Sequence, residues 1–145
     1  MEAASEEIQR DFLTPGFIGV QARRDTEVVG FSWGFSLPSI DQLGKQFTYI
    51  RRLLEKKAIK PDCILYGTET GVLPEKQRQG IGPQLLTYRM KRTPQPYVVF
   101  RTKNPFMVKV YSRVAGSANI EELCNDPDDP KRVWYLIRNE QQARR

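Results

Sequence analysis

The chain has 145 residues, 39% hydrophobic and 28% charged, with a net charge of +6, the balance of one soluble globular domain rather than a disordered or fibrous chain. It contains no histidine, which excludes Ser-His-Asp and Cys-His nucleophile systems and argues against a zinc enzyme. There is no run of 18 apolar residues and no signal-peptide pattern, and Cys63 and Cys124 lie far apart at no metal-ligand spacing; a cytoplasmic protein with two reduced structural thiols and no metal is expected.

In chain order, "SEEIQRDFL" (5–13) predicts a short helix opened by Ser5 and ended by Pro15-Gly16. "FIGVQAR" (17–23) and "EVVGFSWGF" (27–35) read as two strands joined by "RDT", a hairpin. Phe31, Trp33 and Phe35 alternate with small residues, so one face of the second strand is aromatic, either as core or as a pocket wall. Ser39 and Gln42 form a capping-box pattern, and Ile40, Leu43, Phe47, Ile50 and Leu54 recur at helical spacing. The spacing predicts an amphipathic helix over 39–57. "CILYGTETGV" (63–72) is a third strand with bulge candidates at Gly67 and Gly71. A helix runs from about Pro83 to Arg92, and "YVVFR" (97–101) is a short buried strand. Asn104-Pro105 opens another helix striped by Phe106, Val110 and Val114. "SANIEEL" (117–123) and "RVWYLIR" (132–138) are strands, and the residues from 139 form a polar tail. No repeat or linker divides the chain, so a single mixed α/β domain over 1–145 is expected.

Charge is concentrated. Nine Lys and Arg residues and no carboxylate lie between Lys76 and Arg113, whereas the rest of the chain is net negative. That points to a polyanionic ligand, unless the stretch is only a solvated basic face. Within it, "VLPEKQRQGIGPQLL" (72–86) runs from a strand end through a basic bend with Gly80 and Gly82 into a helix. Unpaired N–H groups at a helix start attract anions, and the glycines let a phosphate approach the backbone. The stretch lacks G-K-[ST], and the third glycine of G-x-G-x-x-G is replaced by Leu85, so neither common nucleotide loop fits.

The same stretch resembles the acyl-CoA-binding motif of the GNAT superfamily of N-acetyltransferases: a strand ending V-x-P, then [RQ]-x-x-G-x-[GA], then a helix. Gln77, Gly80 and Gly82 occupy its fixed positions. "RTKNPFMVKVY" (101–111) resembles the family's downstream strand-then-Asn segment, with Arg101, Asn104 and Tyr111 in place. The resemblance covers roughly 17–138. It implies a GNAT-like fold in which two central parallel strands splay, and acetyl-CoA as co-substrate. Backbone groups at Val72 and Leu73 would pair with the pantetheine arm, and N–H groups of Arg78, Gln79, Gly80, Ile81 and Gly82 would hold the pyrophosphate. Asn104 would contact the cofactor, a backbone N–H near Val72 would stabilise the oxyanion, and Tyr111 would protonate the departing thiolate. The implied reaction is acetyl transfer to a primary amine.

Several positions depart from the family pattern. Pro83 removes one N–H from the helix start. Tyr66 stands where many relatives carry a glutamate base, so Glu69 is the nearest carboxylate for that role, provided that a bulge re-aims it. The family's glycine after the tyrosine comes one residue late, at Gly116. The family's first strand and helix are not recognisable, and the helix over 39–57 is an insert that could wall the acceptor site or form a dimer surface. Two other functions stay open: a CoA-binding module without turnover, and a nucleic-acid-binding domain using the basic stretch. No membrane partner is expected.

Overall fold

The computed structural model of the chain describes residues 16–37 and 45–140. The expected helix over 5–13, the start of the helix expected from 39, the tail beyond 140 and the side chain of Glu69 lie outside the described residues.

Strands β1 (Ile18–Arg24) and β2 (Glu27–Ser36) form the expected hairpin. Its turn holds Asp25 at φ 56°, a left-handed conformation that Asp tolerates better than most residues. Helix α1 (Lys45–Lys56) follows, then β3 (Ile64–Val72), α2 (Ile81–Arg92), β4 (Tyr97–Thr102), α3 (Pro105–Ala115), β5 (Ile120–Asn125) and β6 (Val133–Arg138). The strands make one sheet in the order β1-β2-β3-β4-β6-β5. Every neighbouring pair is antiparallel except β3 with β4, which the α2 crossover makes parallel.

Period-2 alternation sorts the core onto both faces of the sheet. Ile64, Tyr66, Val99, Trp134 and Leu136 point to α1, which meets them with Phe47, Ile50 and Leu54. Leu65, Val98, Phe100 and Ile137 point the other way, against Leu86 and Met90 of α2 and Val110 and Tyr111 of α3. The three α1 anchors are buried at helical spacing, each contributing about 1.5–3 kcal/mol. Leu53 packs beside them, half-buried, and together they are enough to seat the helix. Its end is closed by Ala58 N–H on Glu55 O (2.9 Å) and Ile59 N–H on Leu54 O (3.0 Å), with Ala58 at φ 63° in the place glycine usually takes.

The feature that shapes the molecule lies at the sheet centre. β3 and β4 pair only at Ile64–Tyr97, Leu65–Val98 and Tyr66–Val99. Beyond these, β3 continues to Val72 and β4 to Thr102 without touching, while β3 stays paired with β2 and β4 with β6. The sheet therefore opens into a V along its midline. A bulge lies at the point of parting: Gly34 pairs with Gly67 but Trp33 pairs with Glu69, leaving Thr68 without a register partner. A bulge bends and over-twists its strand, here just where β3 leaves β4. It also resets the alternation. Thr70 comes onto the face of Leu65, shown by its 2.7 Å hydroxyl contact with Ser32, and position 69 comes into register with Trp33. The sequence requires a bulge at Gly67 or Gly71 for this change; it is found between them, at Thr68.

Candidate active site

Two concavities meet at the V. A crevice of about 670 Å³ is lined by Thr70, Gly71 and Val72 of β3, by Lys76, Gln77, Arg78 and the stretch 80–83 of the bend, and by Asn104, Phe106, Met107, Val110 and Arg113. A cavity of about 510 Å³ adjoins it, walled by Phe35, Phe47, Tyr66 and Phe100, with Gly67, Thr68, Arg101, Lys103 and Tyr111. Thr70, Asn104 and Met107 line both, so the two are joined at the mouth of the splay.

The crevice ends at the start of α2. Gly80 precedes the helix at φ 79°, and a Cβ there would meet nothing within 4 Å; the glycine is required by backbone conformation, and the space beside it is open. Arg78, at φ 65°, is also left-handed. The first intrahelical bond is Gln84 N–H on Gly80 O (3.2 Å). The N–H groups of Gly80, Ile81 and Gly82 thus precede the ladder, and Pro83 contributes none. No acidic residue occupies the first turn, and Lys76, Arg78 and Arg113 stand around the opening. Unpaired N–H groups and uncompensated positive charge at a helix start suit an anion. Gln79 is exposed and faces the opposite side of α2, where it lines a separate groove against β1.

The strand end is partly committed. Leu73 donates its N–H to Val29 O (2.9 Å) and accepts from Lys76 N–H (2.8 Å). The Val72 carbonyl accepts from Gln77 Nε2 at 3.1 Å, which gives Gln77 a structural part in bracing the bend. Since Leu73 N–H faces β2, strand alternation turns the N–H groups of Val72 and Thr70 into the V. The free edge offered to an extended ligand is therefore Val72 and Thr70 rather than Leu73.

Across the V, Asn104 caps α3: its Oδ1 accepts from Phe106 N–H at 3.0 Å, and its own N–H is donated to Thr102 Oγ1 at 3.0 Å. The cap fixes α3 so that Tyr111 points into the splay. The Tyr111 ring stacks on Phe100 with centroids 3.8 Å apart and the residue is 3% exposed, yet it lines the cavity. That hydroxyl accepts from Arg89 Nη2 at 2.8 Å. The contact passes beneath Gly67, where a Cβ would lie 2.8 Å from both the Arg89 nitrogen and the Tyr111 oxygen.

Tyr66, where the resemblance would put a glutamate, is held by rings: Phe35 (5.4 Å), Phe47 (5.0 Å) and Trp134 (5.7 Å). The aromatic face of β2 is thus core and cavity wall at once. Arg101 pairs with buried Asp126. Burial alone would lower the Arg101 pKa, but Tyr66 and Asp126 outweigh it and raise it above its ordinary value. The hydroxyl of Thr68 is buried without a hydrogen-bond partner, although the residue itself lines the cavity.

The basic run is resolved into parts. Arg89 is fully buried, Arg101 is neutralised by Asp126, and Lys76, Arg78 and Arg113 ring the crevice. It is not one continuous external stripe. Sequence reasoning missed Arg89, Ser32 and Gly67 as site residues. The signal for Arg89 was present: it lies four residues after Leu85 and three after Leu86, on the stripe that α2 buries.

No family model matches the sequence, and no curated protein does. Solved structures do match. A Desulfovibrio desulfuricans protein described as a GNAT-family acetyltransferase is 15% identical, with a TM-score of 0.63 over 94% of this chain and 79% of its own. Aminoglycoside 6'-acetyltransferase type Ii is also 15% identical, with a TM-score of 0.63 over 94% of this chain and 77% of its own. Diaminobutyrate acetyltransferase from Paenibacillus lautus, solved with L-2,4-diaminobutyric acid and coenzyme A, is 14% identical, with a TM-score of 0.56 over 83% of this chain and 69% of its own. The chain has the mixed α/β fold of the GNAT acetyltransferases, with the splayed parallel pair at its centre.

Proposed function

We propose that the protein is an N-acetyltransferase that moves an acetyl group from acetyl-CoA to a primary amine. The observation that carries this reading is the continuous path from the N-terminus of α2, along the unpaired edge of β3, to the Tyr111 hydroxyl. A coenzyme A molecule matches it part by part. The pyrophosphate takes the N–H groups of Gly80, Ile81 and Gly82 beside Lys76 and Arg78, the amide-bearing arm pairs with Thr70 and Val72 as an added strand does, and the thioester reaches the splay.

There the amine lone pair attacks the thioester carbonyl and a C–N bond forms. A backbone N–H near Val72 that the arm leaves free stabilises the oxyanion. The C–S bond then breaks with its electron pair on sulfur, and Tyr111 gives that sulfur its proton. A phenol held against the sulfur can act as general acid to the departing thiolate. The proton leaving the amide nitrogen restores the phenol. Glu69 remains the proposed base for the incoming amine, from a strand position between the cavity-lining Thr68 and Thr70. The five aromatic residues that line the cavity suit an acceptor with an apolar or aromatic body.

Thiol release from acetyl-CoA with a panel of phenethylamine, L-2,4-diaminobutyrate and an aminoglycoside tests the reading. Turnover with one class of amine, lost in Tyr111→Phe while acetyl-CoA affinity measured by calorimetry is kept, supports it. Tight binding without turnover of any amine supports a CoA-binding module instead, and absence of binding at millimolar acetyl-CoA overturns both.

A further inference from the structure

Arg89 is a cation placed where a cation is costly. It is 0% exposed, and a buried charge normally has an ionic partner. Here every group that it touches is neutral. Nη1 donates to Ser32 Oγ (3.1 Å) and to the Trp33 carbonyl (3.3 Å), Nη2 donates to Tyr111 Oη (2.8 Å), and Nε has no partner. No salt bridge to Arg89 exists among the described residues. Ser32 Oγ in turn contacts Thr70 Oγ1 at 2.7 Å, and Thr70 lines both crevice and cavity. One guanidinium therefore holds two residues of the splay, Tyr111 directly and Thr70 through Ser32. The contact needs a strand position with no side chain, and Gly67 supplies it.

We propose that Arg89 is the positioning residue for Tyr111, and that its unpaired positive charge is matched only when Tyr111 loses its proton. The inference rests on the acetyltransfer reading for the reaction step. Because Arg89 donates to the phenolic oxygen, the phenol's own hydrogen is directed away from the guanidinium, toward the splay. When the C–S bond breaks, that hydrogen passes to sulfur, and the phenolate left behind lies 2.8 Å from a fixed cation. Preorganised charge aimed at a site where negative charge develops lowers the barrier without reorganisation. The ring stack on Phe100 keeps the oxygen from following the proton.

The test uses Arg89→Met and Arg89→Lys, each alone and combined with Tyr111→Phe. Thiol release is followed with the fastest amine of the panel, or with water as acceptor if none accelerates it. With Tyr111 present, Arg89→Met is expected to lower kcat at least about tenfold, the worth of one charged hydrogen bond, with KM for acetyl-CoA within about twofold. Arg89→Lys is expected to recover part of the loss. With Phe at 111, Arg89→Met is expected to cause no further loss. An equal loss in both backgrounds, or a change confined to KM, overturns the proposal. A second readout does not need turnover: with ring-carbon-labelled tyrosine, the Tyr111 NMR resonance, identified by its absence in Tyr111→Phe, is expected to move in Arg89→Lys, which keeps the charge and is the milder change for folding. An unmoved resonance overturns the coupling. A moved resonance in a protein that binds no acetyl-CoA overturns the acetyltransfer reading and supports the coupling alone.

Discussion

Replacing Gly67 by alanine adds one methyl group at the tightest point of the splay. The new Cβ would lie 2.8 Å from Arg89 Nη2 and from Tyr111 Oη, and 3.4 Å from Arg89 Cζ. Neither neighbour yields easily: Arg89 is enclosed and Tyr111 is stacked on Phe100. Overpacking costs roughly 1–3 kcal/mol, and a weakened charged hydrogen bond in a dry site costs about 1.5–3 kcal/mol. Lower backbone entropy of the unfolded chain offsets about 0.5–1 kcal/mol of this. The net is a destabilisation of about 1.5–5.5 kcal/mol. For a chain of this length about 3 °C of Tm corresponds to each kcal/mol, so Tm is expected to fall by roughly 5–16 °C. Gly82→Ala is the matched control. Its Cβ meets only Val72 Cγ2, at 4.0 Å, and the position is helical, so its Tm is expected to stay level or rise by about 1–3 °C. Thermal unfolding followed by circular dichroism compares the two. Equal Tm values for both variants would refute the packing argument at Gly67 and remove the support it lends to the Arg89–Tyr111 contact.

Gly80→Val places a branched side chain at φ 79° and into the open space of the cradle; calorimetry should show acetyl-CoA affinity reduced at least about tenfold for each phosphate hydrogen bond lost, and an unchanged affinity would separate the glycine from the ligand. Asp126→Ala leaves Arg101 unpaired beside Trp134; a loss of about 3 kcal/mol in urea unfolding is expected, more than for Asp126→Asn, and a loss below about 0.5 kcal/mol would show that the pair is not structural. Tyr135 is held above the ordinary tyrosine pKa first by burial and then by Glu122. The folded state therefore favours the neutral phenol, so its contribution to stability is whole below about pH 10 and is lost as pH rises through the folded-state value. Alkaline unfolding should flatten in Tyr135→Phe, and an unchanged alkaline limb would contradict this.

Much of the architecture was legible in local pattern. Alternation marked β2, β3 and β6, Asn104-Pro105 marked the start of α3, and the glycines of the bend marked the start of α2; in each case the constraint is a property of the backbone next to the residue that reveals it. The resemblance also anticipated a parting of two parallel strands, which the short β3–β4 ladder shows. What was not legible depends on residues distant in sequence. The bulge falls at Thr68 because of how β2 registers against β3, and a strand does not reveal its partner's register. Leu73 has both backbone groups engaged because Val29 and Lys76 come to meet it. Arg89 looked like one cation of a basic run. Only the sheet above it, with Ser32, Trp33 and a glycine at 67, makes it the hub of the splay.

The claim on which the account depends is that acetyl-CoA lies in the V between β3 and β4. Hydrogen exchange of the intact chain, read by mass spectrometry with and without acetyl-CoA, tests it most directly. Slowed exchange confined to residues 70–84 and 104–113 is the result the account predicts; exchange left unchanged there at saturating acetyl-CoA, or slowed only elsewhere, would contradict it.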